Sequence, residues 1–205
     1  HQAVMAAGSR VQFGVDVSEH QDGISLVRAA AEGIEFAVVR TTDGTYKDRT
    51  YRSHIDDASH AGIAAESYHY LRNPSEGTTI AQQVEASLEV MSDAQRPVWL
   101  DCETPAGLHL DHIREARDLF LQAGVPVRGI YTYPHFWRWR MLGADTREFG
   151  QVWLAQYGQN PAGPPAEIYT GEWPGAVGKQ APAMWQFSSR GHVAGFEVDV
   201  NARRN

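Results

Sequence analysis

Short β-rich runs alternate with helical stretches along this chain, and that alternation limits its fold more than any other feature. Strand candidates cover residues 11–17, 36–42, 63–71, 97–103, 127–133, 152–157, 184–187 and 196–200. Helical stretches at residues 25–32, 51–61, 78–92 and 110–123 fall between the first five of them. Gly33, Gly62 and Gly124 each stand between a helix and the next strand, where glycine ends a helix by taking left-handed backbone. Strict alternation predicts parallel strand pairing with the helices outside the sheet. After Trp137 the pattern changes, and the last three strands are separated by Pro/Gly-rich loops such as residues 160–165 and 173–178. Five β/α units and three closely spaced strands make eight, enough to close a barrel. A doubly wound open sheet is the competing topology, but no Gly-x-Gly-x-x-Gly turn follows the first strand. The reading is an α/β chain with a TIM-like (β/α)5β3 barrel in a single domain, residues 11–205. Residues 1–10 are expected to be a flexible lead-in, and they lack the charged-then-apolar layout of an export signal.

In a parallel barrel the working face lies at the carboxyl ends of the strands, so acids there call for an explanation. Asp16 closes Phe13-Gly14-Val15-Asp16, and Asp43 follows the second strand. Asp101 and Glu103 close the fourth, and Asp199 sits in Glu197-Val198-Asp199-Val200-Asn201. Asp101-Cys102-Glu103 is the most informative group. Side chains two apart on a strand share a face, about 6–7 Å apart along the backbone. Both carboxyls would then face the lumen while Cys102 points back to the helices. Like charges held together, and burial, raise a carboxyl pKa. Such a group keeps a proton to donate near neutral pH. An isolated Asp-x-Glu more commonly caps a helix or meets an arginine; convergence with Asp16 and Asp199 favours the chemical reading. Thr42-Asp43-Gly44 is a good turn sequence in its own right.

Aromatic side chains accompany these acids. Tyr68 and Tyr70 alternate on one strand, Tyr131 and Tyr133 on another, and Trp137, Trp153 and Trp185 lie near later strand ends. Each alone reads as core packing, but rings beside acids suit the apolar faces and hydroxyl edges of sugars. Other chemistries are poorly supported. His109-Leu110-Asp111-His112 lacks the His-Glu-x-x-His spacing of zinc hydrolases and reads as a solvent-facing helix start. No Gly-x-Ser-x-Gly elbow or phosphate loop occurs. Cys102, the only cysteine, would have a raised pKa between two carboxylates and be a poor nucleophile. A net charge of −7 with scattered basic residues argues against nucleic acid. No apolar run approaches the roughly 20 residues of a membrane span.

With those residues in place, the chain resembles glycoside hydrolase family 25, the Chalaropsis-type lysozymes or N-acetylmuramidases. Gly14-Val15-Asp16-Val17-Ser18 with Gln21 looks like the family's opening motif. The stretch from Phe36 to Thr45, Ala61-Gly62-Ile63 leading to Tyr68-His69-Tyr70, and Trp99-Leu100-Asp101-Cys102-Glu103 are similar to its next three strands. Gly129-Ile130-Tyr131-Thr132, Trp153-Leu154-Ala155-Gln156-Tyr157, Trp185-Gln186 and Val198-Asp199-Val200-Asn201 follow in order.

The resemblance implies the same barrel and hydrolysis of the β-1,4 bond from N-acetylmuramic acid to N-acetylglucosamine in peptidoglycan, without metal or organic cofactor. It implies Glu103 as general acid and Asp101 as its partner, stabilising charge or orienting the acetamido group. Asp16 and Asp199 would complete the site, with Tyr68, Tyr131 and Trp185 lining the sugar subsite and Gln156 among the substrate-binding residues. Arg40 stands where lysine is usual, Asp43 where glutamate is common, and His20 where an aromatic is frequent. Glu66-Ser67 replaces small residues. Arg40 and His20 are thus candidates to meet substrate differently. Two other readings compete: a non-catalytic wall-binding module, and a barrel hydrolase of chitin-like polymers, although the chitinase run Asp-x-x-Asp-x-Asp-x-Glu is absent. The remaining expectations are a monomer acting on the bacterial wall, secreted or released as a phage-type endolysin, and no wall-binding repeats within this sequence.

Overall fold

The computed structural model of the chain describes residues 10–93 and 95–204. Nine strands form one sheet: β1 Val11–Val17, β2 Ile34–Asp43, β3 Tyr46–Lys47, β4 Ala64–Tyr70, β5 Val98–Asp101, β6 Val127–Thr132, β7 Gln151–Ala155, β8 Met184–Val193 and β9 Phe196–Arg204. The order β1-β9-β8-β7-β6-β5-β4-β2, with β1 also paired to β2, closes eight strands into a barrel. β3 is a two-residue strand hairpinned onto the end of β2. The helices are α1 Leu26–Ala31, α2 Tyr51–Ala61, α3 Ile80–Met91, α4 Leu110–Gln122, α5 Pro134–Arg140 and α6 Pro165–Ile168. The expected lead-in falls outside the described residues apart from Arg10, which pairs with Glu35 at 2.7 Å.

The elements form for local reasons that are visible in the sequence. Thr79 and Ser25 cap α3 and α1 by accepting from the backbone N–H of Gln82 and Arg28. Gly62 ends α2 at φ 71°, and Gly33 and Gly124 also take positive φ. Pro134 opens α5, where its missing N–H costs nothing. The five β/α units call for this fifth helix, but no range could be given to it from sequence, because Pro134 to Arg140 is an aromatic–arginine run without a clear apolar period. The structure nevertheless buries Phe136 and Trp137.

Parallel pairing holds from β1 through β2, β4, β5, β6 and β7 to β8. The last strand departs from the expectation: β9 is antiparallel to both β8 and β1. Only Ala194 and Gly195 link β8 to β9, both at positive φ (51° and 79°). That is a tight hairpin, whereas a parallel crossover needs a dozen residues or more. The same hairpin extends β8 to Val193, well past the expected residue 187.

Two packed layers result. Inside the barrel, Phe36, Val38, Trp99, Tyr131, Trp153 and Met184 fill the lumen. Between sheet and helices lies the larger core, with Cys102 fully buried in it. Gly14 makes room for Phe36, since a Cβ there would lie 2.3 Å from the ring. The lower end of the barrel is closed by Glu66, which accepts from Trp99 Nε1 (3.0 Å), Arg128 Nε (2.7 Å) and Arg203 Nη1 (3.2 Å). The guanidinium of Arg203 also lies over the Phe36 ring at 3.9 Å.

Candidate active site

The carboxyl ends of the parallel strands surround a pit of about 80 Å³ lined by Asp16, Tyr68, Asp101, Glu103, Tyr131, Trp153, Gln186 and Asp199. Asp16 ends β1 and Asp101 ends β5, both buried. Glu103 stands two residues past the strand and is half-buried. Alternation along β5 sends Trp99 and Asp101 inward and Leu100 and Cys102 outward, as the spacing predicts. Asp199 arrives differently. It sits in the first half of antiparallel β9, directly across from Asp16 in the register. The expectation that it marks a carboxyl strand end is therefore corrected: β9 enters the barrel from its upper rim.

Like charges directly opposite on neighbouring strands repel, so the Asp16–Asp199 pair needs compensation. Gln186 Nε2 and Asn201 Nδ2 both donate to Asp16 Oδ2, at 2.8 and 2.9 Å. Burial raises Asp16, and hydrogen bonds from Asp199, Asn201 and Gln186 work against that rise. Asp199 is pushed up to about 9 by burial and then by the charge of Asp16. The pair therefore keeps one proton at neutral pH, with Asp199 as its main holder. Across the pit, burial and then neighbouring Glu103 push Asp101 well above the usual carboxylate range. Asp101 Oδ1 is buried and has no hydrogen-bond partner among the described residues. Burial likewise raises Tyr68 and Tyr131, so both stay neutral phenols.

The other expected site residues are placed around this pit. Tyr68 and Tyr131 line it. Trp185 does not: alternation on β8 turns Gln186 inward and Trp185 outward, against Tyr169, Trp173 and Phe187. There it lines a neighbouring cavity of about 480 Å³ with Gln156, Tyr157 and Glu172. Its Nε1 donates to the Gln156 carbonyl at 2.8 Å. Arg40 is at the rim, bonded through Nε to Asp48 Oδ2 at 2.9 Å, with Glu19 at 3.6 Å. His20 is exposed in the short turn Glu19–Gln21, outside the pit lining. Asp43 makes a two-pronged ion pair with Arg72, at 2.6 and 2.9 Å, consistent with a structural role.

From sequence, Trp153 is among the aromatics that accompany the acids, while Gln186, Asn201 and Tyr157 stand only within the family motifs, with no role given to them in the site. Gln186 accepts from Tyr131 Oη at 2.7 Å and from Tyr157 Oη at 2.5 Å. Trp153 Nε1 donates to Asn201 Oδ1 at 2.8 Å. The available signal was alternation: Asn201 is two residues after Asp199, and Gln186 two after the lumen residue Met184. His109 starts α4 and accounts for its partner locally, its backbone N–H meeting His112 Nδ1 at 3.0 Å. Among the described residues no group of three or more His, Cys, Asp or Glu side chains could hold a metal ion. Chemically, the pit offers retained protons, negative charge and an aromatic wall in a small, partly desolvated space, the combination acid-assisted bond cleavage uses.

Comparison with known proteins follows the same lines. The model of the glycosyl hydrolases family 25 matches residues 15–196. The chain is 28% identical over 211 residues to Lysozyme M1 of Streptomyces globisporus, covering 93% of the chain and 66% of that relative, just under two thirds of its length. The structure of a family GH25 lysozyme from Aspergillus fumigatus superposes with a TM-score of 0.75 at 23% identity, covering 96% of this chain and 95% of that one. The bacterial lysozyme from Streptomyces coelicolor gives 0.74 at 24% identity, covering 94% and 92%. The catalytic domain of endolysin ply40, from bacteriophage P40 of Listeria monocytogenes, gives 0.72 at 21%, covering 96% and 95%. At these identities the structural likenesses show a shared fold.

Proposed function

The chain belongs to the glycosyl hydrolases family 25, and on that premise we propose that it is a muramidase cutting the β-1,4 bond between N-acetylmuramic acid and N-acetylglucosamine in bacterial peptidoglycan. The observation that carries this reading is the pairing of four carboxyl groups around one pit, with burial and like charge keeping protons on Asp101 and Asp199. Glu103, half-buried beside Asp101, is the general acid that protonates the leaving oxygen. Asp101, held neutral, orients the acetamido group by hydrogen bonding. Asp16, accepting two N–H bonds, keeps the negative charge that an oxocarbenium-like transition state needs.

The pit is too small for a whole sugar, since ligand sites usually measure about 300–1,000 Å³. The cavity beside Trp185 and Tyr157 supplies the room and the apolar faces. Residues 11–205 act as one catalytic domain, as a monomer, without nucleic acid. No described helix is long and apolar enough to cross a membrane. The site of action is the bacterial wall, reached by secretion or by phage release.

Mass spectrometry of products from purified peptidoglycan tests the proposal, with wild type and Glu103→Gln side by side. Reducible N-acetylmuramic acid ends should appear with wild type and fall by roughly a hundredfold or more in the variant, the range general acids supply. Reducible N-acetylglucosamine ends would make the protein a glucosaminidase. Binding without any fragments, across several wall types, would make it a wall-binding module. Undiminished cleavage by Glu103→Gln would remove Glu103 from the acid role.

A further inference from the structure

The indole nitrogen of Trp153 can donate a hydrogen bond and cannot accept one. It donates to Asn201 Oδ1, so the Asn201 amide must turn its Nδ2 the other way, onto Asp16 Oδ2. Gln186 Nε2 donates to the same oxygen. With its nitrogen committed to Asp16, Gln186 must direct its carbonyl oxygen at Tyr131 and Tyr157. Both phenols are therefore donors to Gln186 Oε1. A phenol has a single proton, and here both are spent inside the wall of the pit. Lone pairs are what the two oxygens have left to offer.

We propose that Gln186 is a positioning residue that sets the hydrogen-bond polarity of the pit: by taking the protons of Tyr131 and Tyr157 it makes both phenol oxygens acceptors for a substrate donor, a sugar hydroxyl or an amide N–H. The substrate side of this inference rests on the glycan-hydrolase reading above. Glutamine suits the position because its two ends have opposite polarity and it is 2% exposed, so water cannot substitute for either end. Glutamate would accept at both ends and oppose Asp16, and leucine would serve neither. Asp16, the other end of the chain of bonds, is faced by Asp199 from β9, Asp101 and Glu103 from the end of β5, Tyr68 from β4 and Tyr131 from β6. Tyr157 faces it from beyond β7, and Arg40 of β2 acts on the same cluster through Tyr68.

The test compares wild type with Gln186→Leu and Gln186→Glu, by steady-state kinetics on peptidoglycan across pH and by carboxyl-carbon NMR titration of Asp16. Gln186→Leu frees both phenol protons and strips a donor from Asp16. Its kcat should fall roughly tenfold or more, and the Asp16 midpoint should rise, moving the acidic limb of the pH profile with it. Gln186→Glu keeps the shape and an acceptor for the phenols. It should hold KM closer to wild type while the Asp16 midpoint rises further from the added charge. Should the leucine variant fail to fold, the glutamate variant carries the test alone. An unchanged Asp16 midpoint and pH profile in a folded variant would overturn the proposal. A shifted midpoint in a protein inactive on every wall polymer would instead keep the positioning role and sink the muramidase reading.

Discussion

Asp199 concentrates the conflict between stability and chemistry in one side chain. Its carboxyl is held at about 9 in the folded protein by burial and by Asp16, against an ordinary value of 3.8. Between those two values the folded state binds a proton that the unfolded chain has released, so stability falls as pH rises through the window. Asp199→Asn keeps the shape and can still donate to Asp16, but removes the titration. The variant should melt above wild type at pH 8, with the difference shrinking toward pH 4, and should lose most activity. Scanning calorimetry at the two pH values decides it; for a chain of this size each kcal/mol gained is worth about 2–4 °C. Equal melting at pH 8 would mean that the pair is not strained by its shared charge.

At the scale of elements, the β1–β2 contact depends on one absent side chain. A Cβ on Gly14 would lie 2.3 Å from the Phe36 ring, which has no free volume to retreat into because Arg203 covers it. Gly14→Ala should therefore destabilise by about 1–3 kcal/mol, the usual range for overpacking, and Phe36→Leu in the same chain should recover part of it. Denaturant melts of the single and double variants measure this, and additive losses would show that the two residues do not compete for the same space.

This element scale is also where sequence reasoning was strongest and where it failed. The β/α alternation and its glycine stops located all eight barrel strands, with the first six close to their observed bounds and β8 and β9 cut short where their hairpin extends them. Strand ends, together with the convergence of several acids, pointed to Asp16, Asp101 and Glu103, which line the pit, but also to Asp43, which pairs with Arg72 instead. The direction of β9 was missed because Ala194-Gly195 lacks the Asn-Gly or Asp-Gly look of a hairpin turn. Trp185 and Gln186 show the finer limit: adjacent residues on one strand face opposite layers, and only the register says which one meets the pit. Glu66 was read as a departure from small residues and proves to be the acid that closes the barrel floor.

For the molecule as a whole, that floor and the pit divide the labour. Glu66 with Arg128 and Arg203 lies at the end of the barrel opposite the acids, where a charged network bears on stability and not on the chemistry at the other face. Glu66→Gln should cost about 1–3 kcal/mol, since a charge-assisted network is replaced by neutral hydrogen bonds, while kcat stays within about twofold of wild type. Calorimetry paired with wall-hydrolysis rates checks both halves. A large fall in kcat without loss of stability would show that floor and pit are coupled through the lumen aromatics.

β9 also has a meaning in time. It joins β1, so Val11 pairs with Arg204 and the ring is completed by the last strand of the domain to leave the ribosome. Until then Asp16 has no Asp199 opposite it and no Asn201 to bond it. A chain still being translated therefore holds Asp16, Asp101 and Glu103 without the partners on β9 that set the charge of the pit, and the four-carboxyl arrangement exists only once the ring has closed.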